Sequence, residues 1–282
     1  MNSCGVMTYK EYLRVLKEHS PYDFSDYSDN SIYRRIDKVM RDQELTLEQL
    51  SERTRRDKEF VEQVVEAITV NTTELFRDPA VWKYLYEKHL PSLAANNFIN
   101  IWHAGCSTGQ EVYSLLILFN ELKLLDKVRV FATDISRNAL EVAKKGVYQN
   151  QIDRGCIENF NSVFDDKTGD NTRFLKYFDV DEQQDRIGVK PFLKEKIKFI
   201  RHDLVKNDVP FYNKVDVVFC RNVLIYFNVK LQNRIVQRFH EGLYNNGILI
   251  LGAHEGLSGF FKTKFDRQGP VYKKSNVFHL RY

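Results

Sequence analysis

Small and acidic residues that could bind a ligand follow two neighbouring apolar segments of the chain. The segment 99–104 ends in the turn Gly105-Cys-Ser-Thr-Gly109, and Glu111 comes two residues later. Small side chains let a ligand approach the backbone closely, and the free amides of a helix that begins here can face it. The segment 128–133 ends in Asp134, whose carboxylate can accept hydrogen bonds from hydroxyl groups. This arrangement is typical of nucleotide binding in an α/β protein.

The same turn also fits a purely structural role. Ser107 with Gln110, and Thr108 with Glu111, each match a capping box that starts a helix. Glu111 is therefore a candidate ligand, a candidate helix cap, or both. Because the two glycines of the turn are separated by three residues and no third glycine follows, the pattern does not match G-x-G-x-x-G and an NAD site is disfavoured.

A second polar run, residues 69–79, lies between two apolar helical patterns. It has more hydrogen-bonding side chains than a bare connection needs, although Asn and Thr are also common in ordinary turns. Asp78 is placed to cap the next helix, and Pro79 to occupy its first turn. The run is either a connection or part of a site.

Composition excludes several classes of protein. The chain has 282 residues, with 42 Lys and Arg against 38 Asp and Glu, and this mild positive charge does not indicate nucleic-acid binding. No apolar run could span a bilayer, and no signal-peptide core follows Met1. The four cysteines are widely separated, without C-x-x-C or H-E-x-x-H motifs, so neither a disulfide framework nor a metal site is expected. We expect a soluble cytoplasmic protein.

Apolar periodicity predicts two domains of different class. Residues 1–90 show helical spacing and are predicted to form an all-helical domain, whereas residues 91–282 alternate strands and helices as in a doubly wound parallel sheet. Strands are predicted at 99–104, 128–133, 197–200, 215–220 and 248–252, with a final pair near 271–274 and 276–280. Residues 147–196, with strand-like pieces at 177–180 and 186–189, are predicted to be an inserted antiparallel subdomain.

The second predicted helix carries a basic ridge, which we define as Arg34, Arg35, Lys38 and Arg41. Three of these side chains project opposite the apolar stripe of the helix, and Arg35 lies at its border. The ridge is either an ordinary solvated face or a docking surface for an acidic partner helix.

Four motifs carry a resemblance to a known family. They are T-x-N-x-T-x-x-F-R at residues 69–77, A-G-C-S-T-G-Q-E-V-Y-S at 104–114, A-T-D-I at 132–135 and C-R-N-V-L-I-Y-F at 220–227. The order and spacing of these motifs resemble those of the CheR-type chemotaxis receptor glutamate methyltransferases, and the resemblance extends along nearly the whole length of the chain. The resemblance implies a class I S-adenosylmethionine-dependent methyltransferase fold, with a helical N-terminal domain that docks the receptor and a small β-subdomain.

The resemblance also implies which residues meet the cofactor, S-adenosylmethionine. The implied contacts come from Asn71, Thr73, Arg77, Glu111, Asp134, Asp203, Leu204, Arg221 and Asn222. Taken without the resemblance, Arg221 and Asn222 could simply end a strand, and Asp203 could cap a turn. The chain departs from the family pattern at three positions: Leu75 replaces an aromatic residue, Gln110 a glutamate and Asp203 an asparagine.

The implied reaction methylates a glutamate side chain of a chemotaxis receptor, giving a methyl ester and S-adenosylhomocysteine. A carboxylate with a pKa of about 4.3 is already ionised near neutral pH, so the reaction needs alignment and not a general base. Arg77 and Tyr226 are the candidates to hold the substrate carboxylate, although Tyr226 could equally be a core aromatic residue. The basic ridge would steer the acidic receptor helix.

Two short segments of the sequence bear on whether the chain binds a receptor tail or acts on nucleic acid. Some relatives bind a pentapeptide of the receptor tail through a glycine-bearing turn of the β-subdomain. Here that turn, residues 181–185, reads D-E-Q-Q-D, which disfavours such a tether. A nucleic-acid methyltransferase would carry a proline pair near residues 221–223, where this chain has R-N-V. A catalytically silent docking module is the remaining alternative, and a monomer is expected.

Overall fold

The N-terminal region is helical. The computed structural model describes residues 7–69, 72–149, 154–165, 171–206, 209, 211 and 214–275. Within these ranges, no helix is both long and apolar enough to cross a membrane. The first helices are α1 (Tyr9–His19), α2 (Asp29–Gln43), α3 (Leu47–Arg56) and α4 (Lys58–Ile68). Thr8 and Thr46 start α1 and α3 with capping boxes, which satisfy amides that have no partner within the helix.

These four helices pack around an apolar core of their own. Tyr12, Ile36 and Phe60 are fully buried there and come from α1, α2 and α4. Each helix contributes residues three or four positions apart, so that a single face is buried and the opposite face stays polar. The predicted all-helical N-terminal region is confirmed.

The segment after α4 packs on the sheet of the second half. Helix α5 (Pro79–Tyr84) is followed by short π and 3-10 turns that end at Ala95. Trp82, Leu85 and Leu90 are fully buried in the same apolar core as the central strands. The domain boundary near residue 90 stays a prediction.

A seven-stranded sheet forms the centre of the second half. The strands in the described part of the chain are β1 (Ile99–Ala104), β2 (Val128–Asp134), β3 (Val147–Gln149), β4 (Phe178–Asp181), β5 (Arg186–Val189), β6 (Ile197–Arg201), β7 (Val215–Cys220), β8 (Leu243–Leu251), β9 (Phe265–Gln268) and β10 (Val271–Lys274). The large sheet has the order β6-β2-β1-β7-β8-β10-β9. Its first five strands run parallel, whereas β10 is antiparallel to both β8 and β9.

The order of this sheet confirms the predicted doubly wound fold. From β1 the chain adds β2 and then β6 on one side, and then returns to add β7 and β8 on the other. Ligands of such sheets bind at the carboxyl ends of the strands where the order reverses, which here lies between β1 and β7. Strand β9 was not predicted, and the strand predicted at 276–280 lies outside the described residues.

Helices and a second sheet complete the second half. The remaining helices are α6 (Gln110–Glu121), α7 (Arg137–Lys145), α8 (Arg154–Val163), α9 (Thr172–Leu175), α10 (Pro191–Lys194) and α11 (Val229–Gly242). Strands β3, β5 and β4 form a separate antiparallel sheet in that order. The predicted antiparallel insertion is therefore confirmed, and the parallel strands resume with β6.

Candidate functional site

A cavity of about 330 Å³ lies at the carboxyl ends of β1, β2, β6 and β7. Parallel strands end at the same edge of a sheet, so residues far apart in the chain meet there. The candidate residues that line the cavity are Arg35, Thr73, Arg77, Glu111, Asp134, Asp203, Leu204, Arg221, Asn222 and Tyr226. Asn71, which belongs to the same predicted set, lies outside the described residues. Arg34, Lys38 and Arg41 are exposed on α2.

The glycine turn bends sharply over the end of β2. The amides of Gly105 and Cys106 both donate to the Thr133 carbonyl, at 2.8 and 2.9 Å. Gly109 has a φ of 92° and is the N-cap of α6, without a side-chain cap hydrogen bond. The capping-box alternative for this turn is therefore wrong. The left-handed turn at Gly109 places Thr108 so that its hydroxyl bonds the Gln110 side chain at 2.7 Å.

Asp134 ties the end of β2 to the glycine turn. Its Oδ2 accepts from the Ser107 amide at 2.7 Å, and its Oδ1 accepts from the Ser136 amide at 2.9 Å. Burial raises the pKa of Asp134, and the two amide hydrogen bonds oppose that rise. Each carboxylate oxygen can accept a second hydrogen bond, so Asp134 can still bind ligand hydroxyls from the cavity wall.

Arg221 is almost fully buried and joins three segments. Its Nη2 lies 2.6 Å from Asp78 Oδ2, and its Nη1 is paired with Glu111 and also donates to the Arg77 carbonyl at 3.2 Å. Asp78 is the N-cap of α5, but its side chain makes no cap hydrogen bond, so the predicted capping role of that carboxylate is wrong. The polar run before α5 is thereby attached to β7 and α6.

Glu111 projects from the first turn of α6 into this network. Burial raises the pKa of Glu111 to about 7, although the neighbouring cations Arg221 and Arg77 oppose the rise. Its side chain is 8% exposed, because it still borders the cavity. A carboxylate at this position is poised to bind a ligand cation.

Two further polar groups face the cavity with unused hydrogen-bonding capacity. Within the described ranges, Asn222 Oδ1 and Ser107 Oγ are buried without a hydrogen-bond partner. Buried polar atoms normally have partners, so these two atoms indicate where a bound molecule completes the site. Asn222 has a φ of 59°, which directs its side chain away from a regular strand path.

Asp203 lines the cavity and also caps a turn, because its Oδ1 accepts from the Val205 amide at 2.9 Å.

Tyr226 lies beside two cations at the part of the cavity nearest to α2. Burial raises the pKa of the Tyr226 hydroxyl, and the charges of Arg35 and Arg77 oppose this. Arg77 also donates a long 3.5 Å hydrogen bond to the Thr72 carbonyl. These side chains can donate hydrogen bonds to an anionic group bound in this part of the cavity.

Sequence reasoning missed Glu255, which follows β8. Its carboxylate accepts hydrogen bonds from backbone amides of the segment after β7, including Asn222 N at 2.7 Å. A local sequence signal could not have found this role of Glu255, because its amide partners other than Gly252 lie about thirty residues earlier in the chain. Only the parallel pairing of β7 with β8 brings the two segments together.

Two family models match the chain. The one described as "CheR methyltransferase, all-alpha domain" matches residues 7–69, and "CheR methyltransferase, SAM binding domain" matches residues 71–271. The chain is 36% identical to the putative methyltransferase Cher3 of Pseudomonas putida over 258 residues, 91% of this chain and 90% of the relative. It is 33% identical to chemotaxis protein methyltransferase 1 of Vibrio cholerae over 231 residues, 78% of each chain. Chemotaxis protein methyltransferase 1 of Pseudomonas aeruginosa is 34% identical over 236 residues, 79% of this chain and 81% of the relative.

Proposed function

Since the chain belongs to the CheR methyltransferase family, we propose that it methylates glutamate side chains of a chemotaxis-type receptor with S-adenosylmethionine. One observation carries the choice of an anionic acceptor. The cavity that suits the cofactor is also lined by Arg35, Arg77 and Tyr226, which together offer two positive charges and a hydroxyl. Such donors bind a carboxylate through strong, charge-assisted hydrogen bonds.

The residues around the cavity fit the cofactor. Asp134 has lone pairs left to accept from ribose hydroxyls, and Glu111 can pair with the amino group of the methionine part. The orphaned acceptor of Asn222 and the hydroxyl of Ser107 supply further polar contacts. When bound, the cofactor supplies a methyl group on a positively charged sulfur, which a carboxylate oxygen can take without any proton transfer.

The protein's part in this reaction is alignment and exclusion of water. A substrate glutamate is ionised near neutral pH, so no residue has to remove a proton. We assign Arg77 and Tyr226 to hold the carboxylate, since each can donate a hydrogen bond to it from the cavity wall. Well-oriented reactions can gain roughly 7 to 11 kcal/mol from positioning, so alignment alone can lower the barrier substantially without an acid or a base.

The reaction is tested with tritiated S-adenosylmethionine and membranes that contain chemotaxis receptors. Label transferred to a glutamate is expected to leave as volatile methanol on treatment with base, because a methyl ester is hydrolysed. An Asp134→Ala variant serves as the control for background transfer. Label that resists base would show that the product is not a carboxyl ester, and would overturn the proposal.

Cofactor affinity should rise between pH 6 and pH 8, by about tenfold, because the ionised form of Glu111 binds the cofactor's amino group. Folding raises the pKa of Glu111, so the native chain holds the proton more tightly than the unfolded chain. The contribution of Glu111 to the stability of the fold therefore falls as pH rises from about 4.5 to about 7. Calorimetric titration with S-adenosylhomocysteine should show the pH dependence of affinity in the wild type and not in Glu111→Gln. Equal slopes in both proteins would exclude Glu111 as the ligand.

The basic ridge is proposed to dock the receptor helix. Arg34 and Lys38 are exposed on α2, while Arg35 of the same helix lines the cavity, so a helix lying along α2 would bring its acidic residues to the site. The double substitution Arg34→Glu and Lys38→Glu should slow receptor methylation about tenfold at low salt and much less at high salt.

The measurement is the initial rate of methylation at two ionic strengths, with cofactor affinity determined in parallel. Arg55→Glu combined with Arg56→Glu is the matched control, since these exposed residues end α3 and do not line the cavity. If both double variants slowed the reaction equally, net charge would explain the effect and the ridge would have no specific role.

A further inference from the structure

The segment between β7 and α11 carries three of the candidate site residues: Arg221, Asn222 and Tyr226. It leaves the strand through the left-handed residue Asn222 and then makes one 3-10 turn over Leu224–Tyr226. The first amides of such a turn have no partner within it. The position of the segment therefore depends on groups from elsewhere in the fold.

A single carboxylate supplies those partners. Glu255 Oε2 accepts from the amides of Asn222 and Gly252, both at 2.7 Å. Glu255 Oε1 accepts from the amides of Val223, Leu224 and Ile225, at 2.9, 2.7 and 3.3 Å. The residue is only 9% exposed, and an ionised carboxylate makes shorter and stronger hydrogen bonds than a neutral acceptor.

Gly252 leaves the space that this arrangement needs. A Cβ atom at Gly252 would lie 2.8 Å from Glu255 Oε2 and 3.0 Å from the Asn222 amide nitrogen. Distances this short would force the carboxylate or the segment to move. The end of β8 and Glu255 thus form one rigid support beneath the segment after β7.

The far end of the segment is held independently by the helical region. Ser28 N donates to the Tyr226 carbonyl at 2.9 Å, and Asn228 N donates to the Asp26 carbonyl at 2.9 Å. Tyr226 therefore lies between the carboxylate support on one side and this backbone bridge on the other. Glu255 is not among the residues that line the cavity, so it acts on the reaction through its neighbours: it holds the segment in place, and its charge raises the pKa of both Glu111 and Tyr226.

We propose that Glu255 is a positioning residue for the proposed methyl transfer. By bonding four successive amides, it sets the orientation of Asn222 toward the cofactor and of Tyr226 toward the substrate carboxylate. This inference rests on the proposed function. Because an error of about 1 Å in the placement of reacting groups can cost about 100-fold in rate, loosening the segment should lower kcat even if the fold persists.

The test compares Glu255→Gln and Glu255→Ala with the wild-type protein in receptor methylation. Glutamine keeps one accepting oxygen and alanine keeps none, so kcat should fall by about 10-fold in the first and about 100-fold in the second. Amide hydrogen exchange at residues 222–225 should accelerate in the same order. Gly252→Ala keeps the glutamate at position 255 but adds a methyl group that displaces its carboxylate. This variant should also lower kcat and accelerate exchange at residues 222–225.

Glu121→Gln is the matched control. Glu121 ends α6, about 16 Å along the helix from its start at the cavity, and its carboxylate pairs with Arg173 at 2.8 Å and Lys176 at 3.2 Å. Its replacement should lower the melting temperature without changing kcat or the exchange of residues 222–225. This readout separates positioning from a general loss of stability.

The outcomes separate a failure of the proposed function from a failure of the positioning role. An inactive wild-type protein would overturn the proposed function by itself. An active wild type, with Glu255 variants that keep both kcat and slow exchange at 222–225, would overturn only the positioning role. Faster exchange without any change in kcat would likewise show that the segment's order does not matter to the reaction.

Discussion

Replacing Arg221 with methionine should lower the free energy of unfolding by roughly 3 to 5 kcal/mol and greatly weaken cofactor binding. The guanidinium is almost fully buried between Glu111 and Asp78, at 2.6 Å from the latter carboxylate. Without it, Glu111 loses its ion-pair partner in the interior and keeps only the weaker influence of Arg77, and a buried unpaired charge is among the largest penalties that one substitution can cause. The protonated form of Glu111 will then be favoured still further.

Denaturant unfolding and calorimetric titration with S-adenosylhomocysteine measure the two effects separately. The double variant Arg221→Met with Glu111→Gln removes both charges, and it should recover part of the lost stability but none of the affinity. Replacement of a paired charge by a neutral group of similar size often costs little, whereas the ligand contacts remain lost. A single variant within about 1 kcal/mol of the wild type would contradict this account of the network.

Replacing Arg77 with alanine should reduce the turnover of receptor methylation by about 100-fold, and Tyr226→Phe should reduce it by about 10-fold. Both side chains line the cavity, and Arg77 is one of the cations that act on the Tyr226 hydroxyl. A guanidinium can bind a carboxylate through two parallel hydrogen bonds, whereas the phenol supplies one. The larger loss is therefore expected for Arg77.

Turnover and cofactor affinity must be measured separately for these variants. Arg77→Ala is expected to change both, because Arg77 also belongs to the proposed cofactor contacts, whereas Tyr226→Phe should change turnover alone. Arg77→Lys is the control: it keeps the charge but loses the planar donor pair, and it should recover only part of the activity. Turnover equal to that of the wild type would exclude the residue concerned from the reaction.

Local pattern was sufficient for the fold of the second half. Strands β1 and β7 have the predicted bounds. Each is an apolar run that stops at a glycine or a charged residue, so the sequence pattern marks where the strand ends. The glycine turn and Asp134 follow two of the parallel strands, so the alternation of strands and helices alone predicted that they would meet. The motifs at 104–114 and 220–227 added the identity of the cofactor, which no periodicity carries.

Side-chain partners were less accessible to sequence reasoning. Asp78 and Glu111 both occupy positions where a helix cap is common, so spacing indicated capping for Asp78 and left both capping and ligand binding open for Glu111. In the folded chain both carboxylates pair with Arg221, which lies more than a hundred residues away. A buried cation outcompetes a local amide for a carboxylate, but its position is set by the sheet and not by the neighbouring residues.

The sequence by itself determined the class of the fold, the edge of the sheet where the cavity lies and most of the candidate residues that line it. The tertiary structure decided which carboxylates are tied up in the protein's own network and which groups remain for a ligand. It also brought Glu255 beneath the segment after β7, and it divided the basic ridge between Arg35 in the cavity and its exposed neighbours. The reason is that periodicity reports the burial of each residue, whereas hydrogen-bond partners depend on which strand ends become neighbours.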